Sequence, residues 1–279
     1  MATVPAAATE HTLTNGQTES ISRRIARFAH GLRYEDIPGA VIERAKLHIL
    51  DATGIAFASS TFDFARRSMD ALLSLGAGDQ PVMAHRERLS LRDAATMNGI
   101  LIHGLDYDDT HMAGVIHVTS SALPLALGEC TDRRLSGRDL LLGYLIAVEV
   151  GARVGAVAKG AFHEIGFHPT GLVGAFGCAT AAGRLEGLSV DAITLAQGLV
   201  GSMAAGSMEF LETGAWNKRL HPGWAAACGI TASRFAGQGF VSPETVYEGR
   251  FGLFAGYLQG RHEYDVELAT RGLGACLFN

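Results

Sequence analysis

Apolar residues recur every three or four positions in one segment after another of this chain, whereas alternation of period two rich in Val, Ile and Thr hardly appears. The pattern predicts helices over about 19–32, 37–58, 62–75, 91–104, 119–130, 137–158, 170–185, 189–205 and 223–237. Start signals support two of them. Ser90 with Asp93, and Ser136 with Asp139, each place a hydroxyl before a helix and a carboxylate in its positive first turn. Breaks fall at GAGDQP (76–81), GFHP (166–169) and LHPG (220–223), and PVMAH (81–85) is the one candidate short strand. The expected fold class is all-α, a large helical bundle.

Helices 137–158 and 170–205 are rich in Gly and Ala. In GLVGAFGCATAAG small residues recur at helical spacing, which allows close backbone approach and marks these as central helices. The same stretch matches neither G-x-G-x-x-G nor a P-loop and follows no strand, which argues against a nucleotide site. No repeat of solenoid length is visible.

Composition narrows the class. The chain has 279 residues, 48% hydrophobic and 18% charged, as expected of a globular protein. Its net charge of -5, without a basic run, excludes the electrostatic footprint of a nucleic-acid binder. The long apolar run 140–158 contains Glu149 and Arg153, which fits a buried helix and not a membrane span. Residues 1–18 lack the basic and apolar regions of a signal peptide, read as a flexible leader, and lead us to expect a cytoplasmic protein with no membrane partner. Cys130, Cys178, Cys228 and Cys276 are far apart, with no C-x-x-C, so buried core thiols are expected and not a cluster or zinc site.

Three polar islands interrupt this background, each at a helix end. The first is LDYDDTHMAGVIH (105–117), with Asp106, Asp108, Asp109, Thr110, His111 and His117. The second is HEIGFHPTG (163–171), where His168 precedes a Pro-Thr helix start. The third is GAWNKRLHPGWAA (214–226), in which Lys218, Arg219 and His221 precede the next expected helix. Lys218 is notable because only Lys46 and Lys159 accompany it in the whole chain. Two islands therefore offer positive potential beside a helix N-terminus, a natural place for an anion. Bland readings compete: Asp108 and Asp109 suit the capping of the helix near 119 or bonds to loop amides, and His163 suits a structural role. A metal site in the first island is the sharpest alternative, but it has no H-x-H or H-x-x-x-H pair, and no metal or cofactor is expected.

LDYDDTH with the downstream His117, GFHPTGLVGAFGCATAAG and KRLHPGWAA resemble, in order and spacing, motifs of the MmgE/PrpD family, which includes 2-methylcitrate dehydratase, cis-aconitate decarboxylase and iminodisuccinate epimerase. The resemblance covers nearly everything after residue 20. It implies a helical domain over 19–272, the start of a smaller α+β lid at 273–279, and a metal-free homodimer acting on a small di- or tricarboxylate. It further implies Asp106, Thr110, His117, His168 and Lys218 as catalytic residues. His117 aligns through a loop of variable length, and Val118 stands where the family usually has Pro. A lid lysine, histidine and tyrosine expected at the site have no counterpart here. The resemblance thus implies impaired turnover by these 279 residues, with a catalytically inactive dimerisation scaffold or fragment as the reading from another class.

The reactions of that family share proton transfer at a carbon beside a carboxylate, which builds negative charge. Lys218 and Arg219 suit holding carboxylates, with His221, Asp109 and His111 as further substrate-binding candidates. His168 and His117 suit proton transfer, Asp106 suits orienting an imidazole, and Thr110 suits a hydrogen bond to substrate. Among the possible reactions the expectation is a hydro-lyase of the 2-methylcitrate dehydratase type, with decarboxylation and epimerisation as alternatives.

Overall fold

A computed structural model describes residues 19–274. The leader 1–18, Cys276 and most of the 273–279 segment lie outside the described residues.

The nine expected helices form, and three short ones that the pattern did not mark, Ala161–Glu164, Phe210–Thr213 and Leu253–Leu258, join them. In chain order they are α1 Ile21–Gly31, α2 Gly39–Ser59, α3 Asp63–Leu75, α4 Leu91–Ile102, α5 Thr119–Arg133, α6 Gly137–Val157, α7 Ala161–Glu164, α8 Pro169–Leu185, α9 Val190–Val200, α10 Phe210–Thr213, α11 Asn217–Gly237 and α12 Leu253–Leu258. Both expected caps are present. The Asp93 N–H donates to Ser90 Oγ (3.4 Å), while Ser136 and Asp139 form a reciprocal box in which the Ser136 N–H donates to Asp139 Oδ2 (2.9 Å) and the Asp139 N–H donates to Ser136 Oγ (3.3 Å). The fold is all-α apart from a minimal hairpin. Its strands β1 Gln80–Pro81 and β2 Arg88–Leu89 pair antiparallel, with Gln80 opposite Leu89. The expected strand at 81–85 is therefore mostly turn: Ala84 has φ 59° and the His85 N–H donates back to the Val82 carbonyl (3.3 Å).

The core is built on α8, which packs against α6 and α11, while α11 also packs on α4. Small residues make this possible. A methyl group on Gly223 of α11 would stand 2.1 Å from the Thr96 carbonyl oxygen of α4, and one on Gly99 would stand 2.3 Å from Gly223 Cα. The helices α4 and α11 thus cross backbone against backbone. α6 is long and apolar enough to cross a membrane, yet most of it is buried against α5 and α8, as its internal Glu149 and Arg153 foretold. Cys130, Cys178 and Cys228 are free and buried, as expected of core thiols.

Two helix boundaries differ from the pattern. α11 starts at Asn217, six residues before the expected start, and carries Pro222 inside it. Proline removes one helical hydrogen bond and disfavours the helical conformation of the residue before it, which is why LHPG read as a break. Packing of α11 against both α4 and α8 overrides that local preference. The helix expected over 189–205 ends at Val200, because the following chain turns so that the Gly206 carbonyl, at φ 151°, can accept the His168 N–H (2.8 Å).

Candidate active site

The loop between α4 and α5 meets the starts of α8 and α11 at one end of the α4/α8/α11 core. His103 caps the C-terminus of α4, and the loop that follows turns at Asp106, whose φ of 59° lies in the left-handed region. Asp and Asn tolerate that conformation better than other residues with a β-carbon. His168 is the N-cap residue of α8, followed by Pro169 at the first helical position, where its missing N–H costs nothing. The bridge between Phe167 and Ser207, together with the Met208 N–H to Gly166 carbonyl bond (2.9 Å), locks this start in place. Lys218 and His221 lie in the first two turns of α11.

Four of the expected catalytic residues share one contact network with His103. Lys218 Nζ donates to Asp106 Oδ1 in a short ion pair. The same oxygen lies 3.9 Å from His117 Nε2 and 3.8 Å from His103 Nε2. The fifth expected residue is tied in through His117: Thr110 Oγ1 stands 3.2 Å from His117 Nδ1, and the His117 N–H donates to Thr170 Oγ1 (3.0 Å) at the start of α8. The His117 and His168 rings are 6.3 Å apart between centroids. Asp106, Thr110, His117, His168 and Lys218 are thus brought together.

The substrate-binding candidates are placed differently. Asp109 Oδ1 accepts the Thr119 N–H (3.1 Å) at the start of α5, the capping role that competed with a substrate role for it. His111 Nδ1 accepts the Gly114 N–H (3.1 Å) within a tight turn bridged to Ile116. Both border a large cleft against α6 that is also lined by Thr110, His48, Glu149 and Lys159. Arg219 donates from Nε to the Gly104 carbonyl (2.9 Å) and stacks its guanidinium over Phe64 (4.7 Å), so it braces the end of α4. His221 stands behind His168, with Nδ1 to Nδ1 3.1 Å apart. Arg219, Asp109, His111 and His221 are thus each engaged by a neighbouring group of the chain. Arg219 and Asp109 are captured by unsatisfied backbone groups at the end of α4 and the start of α5.

Burial and charge set the protonation of the cluster. Burial pushes the His168 imidazole far below the usual histidine range, and its neighbours His103, His221, Lys218 and His117 push the same way. His221 is pushed down to about 4, by burial first and then by His103 and Lys218. Both rings are therefore neutral near pH 7, and one must donate to the other. At Asp106 burial raises the carboxyl pKa, but the Lys218 hydrogen bond and charge outweigh it and leave it below the usual range. The site holds a fixed Lys⁺–Asp⁻ pair beside neutral imidazoles. Both His103 Nε2 and His168 Nε2 are buried without a hydrogen-bond partner among the described residues.

Ring nitrogens of His103, His117 and His168 lie within 4.8 Å of one another, and so do ligand atoms of His103, Asp106, Asp108 and His117. Imidazole and carboxylate groups at such spacing are the donor types that bind zinc or iron. Lys218, however, places its own positive charge on Asp106. The arrangement suits proton transfer and anion binding better than a metal.

Sequence reasoning missed His103 and its partner. His103 Nδ1 lies 2.9 and 3.1 Å from the two oxygens of Asp108, and both residues are buried. The available signal was a lone histidine ending the apolar run MNGILIHG five residues before Asp108, since a buried polar ring requires a partner.

An all-helical domain carrying a recessed cluster of imidazoles around a lysine–carboxylate pair is the type of protein that fold and site define. The chain belongs to the MmgE/PrpD family: residues 23–265 match the MmgE/PrpD N-terminal domain. Among curated proteins it is 35% identical to the cis-aconitate decarboxylase of Homo sapiens over 250 residues, covering 85% of this chain and 50% of that protein. It is 28% identical to the cis-aconitate decarboxylase of Aspergillus terreus over 278 residues, covering 96% of this chain and 56% of that protein. The Mus musculus cis-aconitate decarboxylase is 30% identical over 247 residues, covering 85% of this chain and 50% of that protein. The chain spans about half the length of the curated relatives it matches.

Proposed function

We propose that this chain carries the acid–base site of a lyase acting on a small di- or tricarboxylate, with decarboxylation of a cis-aconitate-type acid as the favoured reaction. The observation that carries the reading is the Lys218–Asp106 pair within reach of His117 and next to the neutral His168. The names of the relatives favour decarboxylation over the dehydration of 2-methylcitrate expected from the motifs alone.

In this reading Lys218 holds a substrate carboxylate. When the carbon–carbon bond breaks and CO2 leaves, the electron pair stays on the unsaturated acid, spread toward a remaining carboxylate that the lysine stabilises. One proton must then be added to carbon. His117, the least buried of the three clustered imidazoles, supplies it and is reprotonated from solvent, while Thr110 holds its other ring nitrogen. His168 presents its unpartnered Nε2 to the substrate as a neutral group.

A cytoplasmic location and self-association complete the proposal. The apolar surface that would drive association is not on the helices between 119 and 205, which are largely buried within the chain. It is the exposed stripe Leu47, Leu50 and Phe57 on α2. The test is incubation of cis-aconitate and, in parallel, 2-methylcitrate at high protein concentration, following released CO2 and the absorbance of the unsaturated acid. Release of CO2 from cis-aconitate supports the reading; dehydration of 2-methylcitrate alone restores the hydro-lyase; neither, with no binding of either acid, rejects both.

A further inference from the structure

His103 is the most deeply buried imidazole of the cluster, with no accessible surface, and it belongs to none of the motifs that carry the family resemblance. Both oxygens of Asp108 face its Nδ1, at 2.9 and 3.1 Å. A carboxylate only accepts hydrogen bonds, so Nδ1 carries the proton and the ring is held in one tautomer and one orientation. Its other nitrogen points into the site, 3.8 Å from Asp106 Oδ1 and without a hydrogen bond. The ring packs against both imidazoles assigned to the chemistry, 4.9 Å from His117 at 52° and 5.5 Å from His168 at 22°.

Burying an ionisable pair at the end of a helix is costly, and apolar residues would close α4 as well or better. A carboxylate that fixes an imidazole, which in turn fixes reacting groups, is an arrangement with a functional return. On the reading of the cluster as an acid–base site, we infer that His103 is a positioning residue: Asp108 clamps its ring, and the ring sets the spacing of His117 and His168 and keeps Asp106 turned toward Lys218.

The experiment has two arms on the full chain. Long-range proton–nitrogen spectra of nitrogen-labelled histidine report each imidazole's tautomer without any need for turnover. In the parent, His103 should appear with Nδ1 protonated throughout the neutral range. In Asp108→Asn, whose side chain can accept or donate, His103 should populate both tautomers and the His117 and His168 signals should move. In the second arm Asp108→Asn should lower kcat on the order of 10- to 100-fold with KM little changed, the pattern of a lost orienting group. The inference is overturned by a parent His103 protonated at Nε2 alone or exchanging between tautomers, by His117 and His168 signals unmoved in the variant, or by unchanged kcat. If the parent turns over neither acid, the proposed reaction fails while the tautomer arm still decides the role of His103. Should Asp108→Asn not fold, the parent's spectrum alone remains decisive.

Discussion

Lys218, in the first turn of α11, reaches back 112 positions along the chain to form an ion pair with Asp106. The pair is partly exposed, 21% for the lysine and 49% for the aspartate, so its contribution to stability is small, on the order of 0–1 kcal/mol. Its worth lies in holding a cation at the site. Replacement by Lys218→Met is expected to leave the melting temperature within a few degrees of the parent and to lower turnover of the proposed substrate on the order of 100- to 1000-fold. Calorimetric unfolding beside the decarboxylation assay checks both halves.

The crossing of α4 and α11 predicts a different outcome for a mutation that adds one methyl group. Gly223→Ala would place a carbon 2.1 Å from the Thr96 carbonyl oxygen, so the helices must separate. Overpacking of this kind costs about 1–3 kcal/mol, and here the obstacle is backbone, which cannot rotate away. Because α11 also carries Lys218, the variant should lose site geometry along with stability. Denaturant unfolding and a titration with cis-aconitate, compared with an α11 surface variant such as Phe235→Ala, separate this from a general loss of helix.

Acid should weaken the fold through His221. Its folded pKa, about 4, lies below the ordinary 6.5, so the unfolded chain binds more protons between those values. Stability that is full above pH 6.5 is lost as the pH falls toward 4. Glu129 works in the opposite sense, since burial raises it from 4.5 to about 7 and the folded form holds its proton more tightly. The comparison is therefore between parent and His221→Gln. The variant's melting temperature should fall less than the parent's between pH 6.5 and 4.5, and parallel curves would count against the depressed His221.

A second buried charge network lies at the other end of α11. Glu129 and Glu186 are almost fully buried and lean on Arg133 and Arg234, which approach Glu129 at 3.1 Å each and Glu186 at 3.5 and 3.6 Å. Arg234 also binds Asp132 at 3.1 Å. Removing one guanidinium strands carboxylates in the interior. Arg234→Met is expected to destabilise by about 3 kcal/mol or more, measured by urea unfolding, with the larger effect above pH 7 where Glu129 is ionised.

Chelation should leave the proposed activity intact. With Lys218 occupying Asp106, the imidazoles have no need of a cation, and prolonged dialysis against EDTA is expected to change neither turnover nor melting temperature. Elemental analysis finding one tightly held equivalent of zinc or iron, lost together with activity, would reverse that reading.

Much of this was legible in the chain of letters, and the parts that were not have identifiable causes. Helical periodicity and the Ser-x-x-Asp caps located α4 and α6 because those signals are local. The start of α11 was misplaced because Pro222 speaks against a helix locally, while the packing that overrules it is against α8 and the still more distant α4. The motif residues Asp106, Thr110, His117, His168 and Lys218 were found because each sits in a polar island. His103 escaped because it sits in an apolar one, where the partner that explains it, Asp108, read as a helix cap. Of the two aspartates read that way, Asp109 does cap the helix that starts at Thr119.

Asp106 adopts φ 59°, and this ties two demands to one position. The chain reverses there after α4, and the same side chain bears the negative charge that Lys218 meets. A β-carbon costs about 1–2 kcal/mol in that conformation, and less where the side chain is short and polar, so alanine at 106 would strain the turn while removing the charge and glutamate would strain it while keeping the charge. Only asparagine keeps the turn while removing the carboxylate, and only glycine relaxes the turn while removing the side chain. Comparing those two replacements divides what the loop's shape contributes from what its charge contributes.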